Sequence, residues 1–177
     1  MIISSGNKEI FDFATPIGIG LIESAINLTH ICLFDKPEFL IFIGSAGSYG
    51  RFKPFEVIKS FSASNIEHCV LKKECYTPLD NIISLKPSVL VNSSNYITTD
   101  NSLSQAYLKL GIDAENMEFF SVMRVAKEFE INAMGIFVIT NYCDKNAHKE
   151  YINNIKKAKT ILIEYLKDKK IIKEKNG

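Results

Sequence analysis

The sequence predicts an α/β fold, a mostly parallel sheet covered by helices, formed as one domain over residues 1–177. Short apolar runs alternate with stretches of helical apolar spacing, and this alternation is typical of such sheets. Residues 39–43 are apolar at every position, as expected for a strand that is buried on both faces. A chain of 177 residues, 46% of them hydrophobic, has the size and the apolar content of one domain with its own core.

The individual elements follow from apolar spacing and from the residues that interrupt it. The predicted strands lie at residues 1–4, 9–14, 39–43, 55–61, 88–91 and 133–140. The predicted helices lie at residues 19–34, 101–110, 118–130 and 146–169. Residues 51–87 form the least regular segment, because Pro54, Pro78 and Pro87 interrupt it. We expect the buried strand 39–43 to end at Gly44, where a run of small residues begins.

Charge and hydropathy argue against two classes of partner. Lys and Arg number 21 and Asp and Glu number 20, so the net charge is +1 and no global field attracts nucleic acid or an anionic membrane. The apolar runs are shorter than the roughly 18 residues that span a bilayer, and the start of the chain lacks the pattern of a signal peptide. We therefore expect a cytoplasmic protein without nucleic-acid or membrane partners.

The cysteines give no sign of a metal site. Cys32, Cys69, Cys75 and Cys143 form no Cys-x-x-Cys pair, and the three histidines lie far from them in sequence. This spacing favours neither a zinc site nor a disulfide scaffold, so we expect reduced and mostly buried thiols.

Three polar clusters could carry chemistry. Residues 44–48, Gly-Ser-Ala-Gly-Ser, either present backbone N–H groups to an anion or a polarised oxygen, or form an ordinary tight turn. At the predicted helix start in residues 115–121, Glu118 either satisfies first-turn N–H groups or accepts hydrogen bonds from two sugar hydroxyls. Residues 138–144 carry a buried strand into polar side chains, which either form a turn or face a heterocycle.

In this order, the clusters resemble the nucleoside phosphorylase and nucleosidase superfamily, which includes purine nucleoside phosphorylases and methylthioadenosine/S-adenosylhomocysteine nucleosidases. Residues 44–47 resemble its glycine loop, and residues 117–118 resemble its ribose-binding Met-Glu pair. Residues 18–20 are similar to the Gly-Ile-Gly before its first long helix, and residues 95–97 to its base-stacking segment. The resemblance extends from about residue 8 to residue 168, with a shortened N-terminus. It implies a phosphorylase/hydrolase-like three-layer sandwich with a mixed, mostly parallel central sheet flanked by helices.

The resemblance also implies a role for each matching residue. Glu118 would bind the ribose hydroxyls, Met117 would line the sugar, and Tyr96 would stack on the base. The implied catalytic positions are Asn141, Asp144 and Glu118. The implied substrate-binding positions are Ser45, Gly47, Tyr96, Ile97, Asn116, Met117 and Thr140.

The base-binding positions depart from the nucleosidase pattern. Where nucleosidases carry a Ser-Asp pair, whose Asp protonates purine N7, this chain has Thr140 and Asn141, which resemble the Thr-Asn of trimeric purine nucleoside phosphorylases. An amide can accept from a ring N–H and donate to O6, so a 6-oxopurine is expected. Asp144 is a competing candidate if the local chain is shifted by one turn.

The nucleophile is open between phosphate and water. Phe42 stands where hexameric phosphorylases carry a phosphate-binding Arg, although Arg51 could substitute. Hydrolytic members activate water with a carboxylate near the N-terminus, and Glu9 is the nearby glutamate. The Thr-Asn match favours a purine nucleoside phosphorylase that uses phosphate as co-substrate, with no metal or cofactor. A purine nucleosidase that uses water is the alternative, and a non-catalytic nucleoside-binding protein is the second. The resemblance also implies a homo-oligomer.

Overall fold

The structure, a computed structural model that describes residues 1–173, has one nine-stranded sheet and five α-helices in that range. The strands are β1 (Ile2–Ser4), β2 (Thr15–Pro16), β3 (Phe39–Ser48), β4 (Val57–Ser60), β5 (Ser62–Ser64), β6 (Ile82–Ser84), β7 (Leu90–Ser93), β8 (Ala114–Asn116) and β9 (Asn132–Tyr142). The helices are α1 (Gly20–Asp35), α2 (His68–Leu71), α3 (Asn101–Lys109), α4 (Phe119–Glu128) and α5 (Ala147–Asp168). A short 3-10 turn lies at Asn7–Glu9.

The two longest strands, β3 and β9, form the centre of the sheet. They pair in parallel along their whole length, and β1 pairs in parallel with the other edge of β3. β4 pairs antiparallel with β9, while β8 pairs antiparallel with the last two residues of β3 and leads on to β7, β5 and β6. The sheet is therefore mixed and mostly parallel, as the sequence predicts.

Side chains alternate between the two faces of the central strands, and each face is covered by helices. Phe42 and Phe137 lie on one face in a cluster with residues of α1 and α4. Ile43 and Ile136 lie on the other face and pack with residues of α5, among them Leu162. Each such buried side chain contributes about 1.5–3 kcal/mol of transfer free energy. The result is the expected layer order of helices, sheet and helix.

Two predicted boundaries near the site are wrong. Residues 9–14 do not form a strand, because Asn7, with a φ of 51°, starts the 3-10 turn that directs Glu9 inward. β3 does not end at Gly44 but continues to Ser48, because β9 supplies hydrogen-bonding partners to its end, with an irregularity in register between Ala46 and Gly47. The small residues therefore form the end of a strand and not a loop.

The prediction of four reduced thiols is wrong for one pair. Cys69 and Cys75 form a disulfide, since the turn after α2 returns the chain and Glu74 N–H donates to the Cys69 carbonyl at 2.8 Å. Cys32 and Cys143 are free and buried, as predicted. Within residues 1–173, no helix has the length and apolar character needed to cross a membrane.

Candidate active site

A cleft of about 790 Å³ opens at the carboxyl ends of β1, β3 and β9. Ligands of open α/β sheets bind at this edge, because the loops that leave the strands converge there. Nine of the residues predicted to form a site line the cleft, namely Ser45, Gly47, Tyr96, Ile97, Asn116, Met117, Glu118, Thr140 and Asn141. Residues that are far apart in the sequence therefore meet in one cavity.

Glu9 reaches the end of β3 and is buried there. Its Oε2 accepts a hydrogen bond from the backbone N–H of Ser45 at 2.8 Å, and its Oε1 accepts one from the Ser45 hydroxyl. A Cβ on Gly44 would lie 2.7 Å from the same Oε2, so only glycine leaves room for the carboxylate. Burial raises the pKa of Glu9, and the hydrogen bonds from Ser45 oppose that rise.

Glu118 is the second buried carboxylate of the cleft. Its Oε1 accepts a hydrogen bond from the backbone N–H of Gly20 at 3.0 Å, a contact that joins the start of α1 to the start of α4. Gly20 has a φ of 77°, a backbone conformation that glycine adopts without strain. Burial raises the pKa of Glu118 to about 7, and the negative charge of Glu9 adds to the rise.

Asn116 fixes the loop that carries Met117 and Glu118. Its side-chain oxygen accepts hydrogen bonds at 2.9 Å from the backbone N–H groups of Glu118 and Phe119, and so gives partners to two N–H groups at the start of α4. Its Nδ2 donates to the carbonyl of Ser45 at 3.1 Å. One side chain thus ties the first turn of α4 to the end of β3.

Thr140 and Asn141 form the opposite part of the cleft. The Thr140 hydroxyl donates to Oδ1 of Asn141 at 2.8 Å, and Nδ2 of Asn141 donates to the carbonyl of Tyr142 at 3.0 Å. These bonds orient the amide and leave it one further donor hydrogen and one further acceptor lone pair. Tyr96 borders the same cleft and is 76% exposed, so its ring face is free to stack on a planar ligand.

Comparison with known proteins adds an independent observation. The family model of the phosphorylase superfamily matches residues 83–168. The resemblance to this superfamily is confirmed. The matched range includes the loop with Met117 and Glu118 and the end of β9, whereas Glu9 and the end of β3 lie outside it.

Solved structures of the superfamily share the fold at low sequence identity. Futalosine hydrolase of Helicobacter pylori superposes with a TM-score of 0.78 at 14% identity, over 94% of this chain and 94% of its own. The 5′-methylthioadenosine/S-adenosylhomocysteine nucleosidase of Helicobacter pylori has a TM-score of 0.74 at 15% identity, over 88% of this chain and 77% of its own. The corresponding nucleosidase of S. pneumoniae has a TM-score of 0.72 at 14% identity, over 86% and 77%. No curated protein matches the chain by sequence.

Two candidates from the superfamily resemblance, Asp144 and Arg51, lie outside the cleft lining. Asp144 does not line the cleft; its Oδ1 accepts a hydrogen bond from the backbone N–H of Asn146 at 2.7 Å, before α5. Arg51, the possible substitute for a phosphate-binding arginine, forms an ion pair with Asp113 at 2.8 Å and is not part of the cleft lining. In the described part of the chain, no cluster of three or more His, Cys, Asp or Glu side chains is placed to hold a metal ion.

Tyr151 and Glu115 are among the cleft residues to which sequence reasoning assigned no role. Tyr151 lies on α5, where helical spacing indicates only a packing position, yet it lines the cleft. Burial raises the pKa of Tyr151 to about 12, and the charges of Glu9 and Glu118 add to the rise, which places the three groups near one another. Glu115 lies on the short strand β8 and also lines the cleft. No sequence motif distinguishes it from a surface glutamate.

Proposed function

We propose that the chain hydrolyses the N-glycosidic bond of a purine nucleoside, with a 6-oxopurine as the base and water as the nucleophile. The observation that carries this proposal is the position of Glu9. Its carboxylate is buried in the cleft and is bonded to Ser45 at the end of β3, so it is available to accept a proton from a water molecule beside the sugar.

The same contact argues against phosphate in this position. The N–H and the hydroxyl of Ser45 are donors that an anion would need, and both already donate to Glu9. Glu118 adds a second carboxylate to the cleft, and like charges close together in a buried site repel. The cleft lining of the described residues contains no arginine, and its one lysine, Lys8, is exposed. These features favour a neutral nucleophile.

The other cleft residues fit the two halves of a nucleoside. Cleavage passes through a ribosyl group with positive character, while negative charge develops on the departing base. Glu118 would accept hydrogen bonds from the ribose hydroxyls beside Met117, and its negative charge would favour the positive sugar. Tyr96 would stack on the base, and the Asn141 amide would hydrogen-bond to its edge.

The reaction balances without a cofactor. Glu9 takes a proton from water as the water oxygen bonds to C1′ of the ribose. The bond from C1′ to N9 breaks, and its electron pair leaves with the purine, which takes up one proton and is released as the neutral base. The solved structures that share the fold include a futalosine hydrolase and two nucleosidases, at 14–15% identity. Their similarity supports the fold and the general class of reaction.

The test is release of free base from inosine, guanosine, adenosine, methylthioadenosine and futalosine, each with and without millimolar phosphate. We expect release from inosine or guanosine at a rate that phosphate does not change. Release that requires phosphate would instead establish a phosphorylase. A thermal shift with a nucleoside but no turnover across the panel would establish a binding protein.

A further inference from the structure

Glu115, Gly47 and Asn141 form one row across three neighbouring strands. Gly47 of β3 pairs with Glu115 of β8 on one side and with Asn141 of β9 on the other. Residues paired across strands point to the same face of a sheet, so the two side chains flank the glycine. A Cβ on Gly47 would lie 3.1 Å from Nδ2 of Asn141 and 3.3 Å from Cγ of Glu115. The side chains of Glu115 and Asn141 therefore flank Gly47 on one wall of the cleft.

The surroundings of Glu115 suit a carboxyl group that gives up a proton. Its Oε1 accepts a hydrogen bond from the backbone N–H of Thr98 at 3.0 Å, and its Oε2 accepts one from the Tyr49 hydroxyl at 2.9 Å. The Cys143 thiol bonds to the same carboxyl group. These donors are neutral, and they would stabilise the carboxylate that remains after the proton has left.

The burial of Glu115 favours the protonated form of its carboxyl group. Burial raises the pKa of Glu115, and the hydrogen bonds from Thr98, Tyr49 and Cys143 oppose only part of the rise. The titratable groups that face it are Tyr49 after β3, Tyr107 on α3 and Cys143 after β9. Burial raises the pKa of each of these groups as well, so they face Glu115 in their neutral forms.

The proposed hydrolysis needs a proton donor at the base, and Asn141 cannot supply one. An amide forms hydrogen bonds but does not transfer a proton near neutral pH. Glu9 acts as the base toward water in the same reaction, and Glu118 lies at the ribose end, bonded to Gly20. Glu115 is the remaining carboxyl group of the cleft lining in the described chain, and it stands beside the amide that orients the base.

We propose that Glu115 is the general acid that protonates the departing purine, an inference that rests on the proposed hydrolysis. The O–H bond of the neutral Glu115 carboxyl group breaks as an N–H bond forms on an imidazole nitrogen of the purine. The electron pair of the bond from C1′ to N9 passes into the base at the same time. Glu115 is left as a carboxylate and regains a proton from solvent, while Glu9 returns to solvent the proton that it took from water.

The test compares two leaving groups in the wild type and in Glu115→Gln. The purine of inosine needs a proton to depart, whereas para-nitrophenol departs from its riboside as a stable anion. We expect Glu115→Gln to lower kcat for inosine by about a hundredfold or more and to change kcat for para-nitrophenyl riboside by less than about threefold. An equal loss for both substrates, or no loss for inosine, would overturn the assignment.

A second variant, Tyr49→Phe, keeps the buried ring and removes one donor to Glu115. Losing that donor favours the neutral carboxyl group, so the alkaline decline of kcat for inosine should move to higher pH, whereas the para-nitrophenyl riboside profile should stay in place. An unmoved decline would count against Glu115. Wild-type protein that cleaves neither substrate would instead refute the proposed hydrolysis, and the assignment of Glu115 with it.

Discussion

The two ends of the cleft hold their carboxyl groups in different ways. At the ribose end, Glu9 accepts hydrogen bonds from the backbone N–H and the hydroxyl of Ser45, and Glu118 accepts one from the backbone N–H of Gly20. At the base end, Glu115 accepts them from the backbone of Thr98 and also from side chains. In the proposed reaction, Glu9 at the ribose end accepts a proton and Glu115 at the base end donates one. Burial raises the pKa of all three carboxyl groups, so the two ends differ in the donors around each group and not in the direction of the shift.

The largest effect is expected at the ribose end, from Glu9→Gln. Glutamine keeps the shape of the side chain but cannot take a proton from water, so kcat for base release should fall by about 10²–10⁴-fold. Steady-state assays on inosine measure this loss. Glu164→Gln, an exposed change on α5, is the matched control and should leave kcat unaltered. A normal kcat in Glu9→Gln would show that Glu9 does not activate water.

An intermediate effect is expected on stability, from Glu118→Gln. The pKa of Glu118 is raised from 4.5 to about 7 in the folded protein, so the unfolded chain loses this proton at lower pH than the folded chain does. Glu118 therefore contributes to the free energy of unfolding below pH 4.5, and this contribution is lost as the pH rises through about 7. The free energy of unfolding of the variant, relative to wild type, should grow by about 2–3 kcal/mol between about pH 5 and about pH 8.

Urea unfolding of wild type and Glu118→Gln at both pH values measures this difference. Glu115 titrates in both proteins and cancels when the two are subtracted, so the difference measures Glu118 together with its coupling to Glu9. A difference that stays constant with pH would show that burial near Glu9 does not raise the pKa of Glu118. The proposed electrostatics of the ribose end would then lose their support.

The smallest effect is expected at the base end, from Asn141→Asp. A carboxyl group matches a 6-aminopurine better than an amide does, so the ratio of kcat/KM for adenosine over inosine should rise by about tenfold, or about 1.4 kcal/mol. Asp144→Asn is the control, because Asp144 does not line the cleft and should leave the ratio unchanged. A ratio that moves with Asp144 and not with Asn141 would reverse the assignment of the base-binding residue.

The local spacing of apolar residues predicts the central sheet and the helix that covers it. Contacts between residues distant in the sequence decide where β3 ends. The apolar runs of β3 and β9 and the stripe of α5 predict the central sheet and its cover, because burial on both faces or on one face leaves a clear period. The extension of β3 to Ser48 has no such period, because its partners on β8 and β9 are distant in sequence. Strand pairing overrides the turn tendency of a Gly-Ser run there.

The site divides in the same way. The motif residues 117–118 and 140–141 are predicted by their resemblance, and the structure brings them into one cleft. The resemblance names Glu9 as a candidate, but its place in the cleft follows from the contact with Ser45, which is 36 residues away. Glu115 becomes a candidate only because strand register places it opposite Gly47, and the sequence does not display that register.

The most direct measurement is the identity of the sugar released from inosine in the presence of saturating phosphate. We expect free ribose as the product, because Glu9 occupies the donors that would hold phosphate and is placed to direct water to C1′. Ribose 1-phosphate as the product would contradict it and would require a phosphate site beside two buried carboxylates.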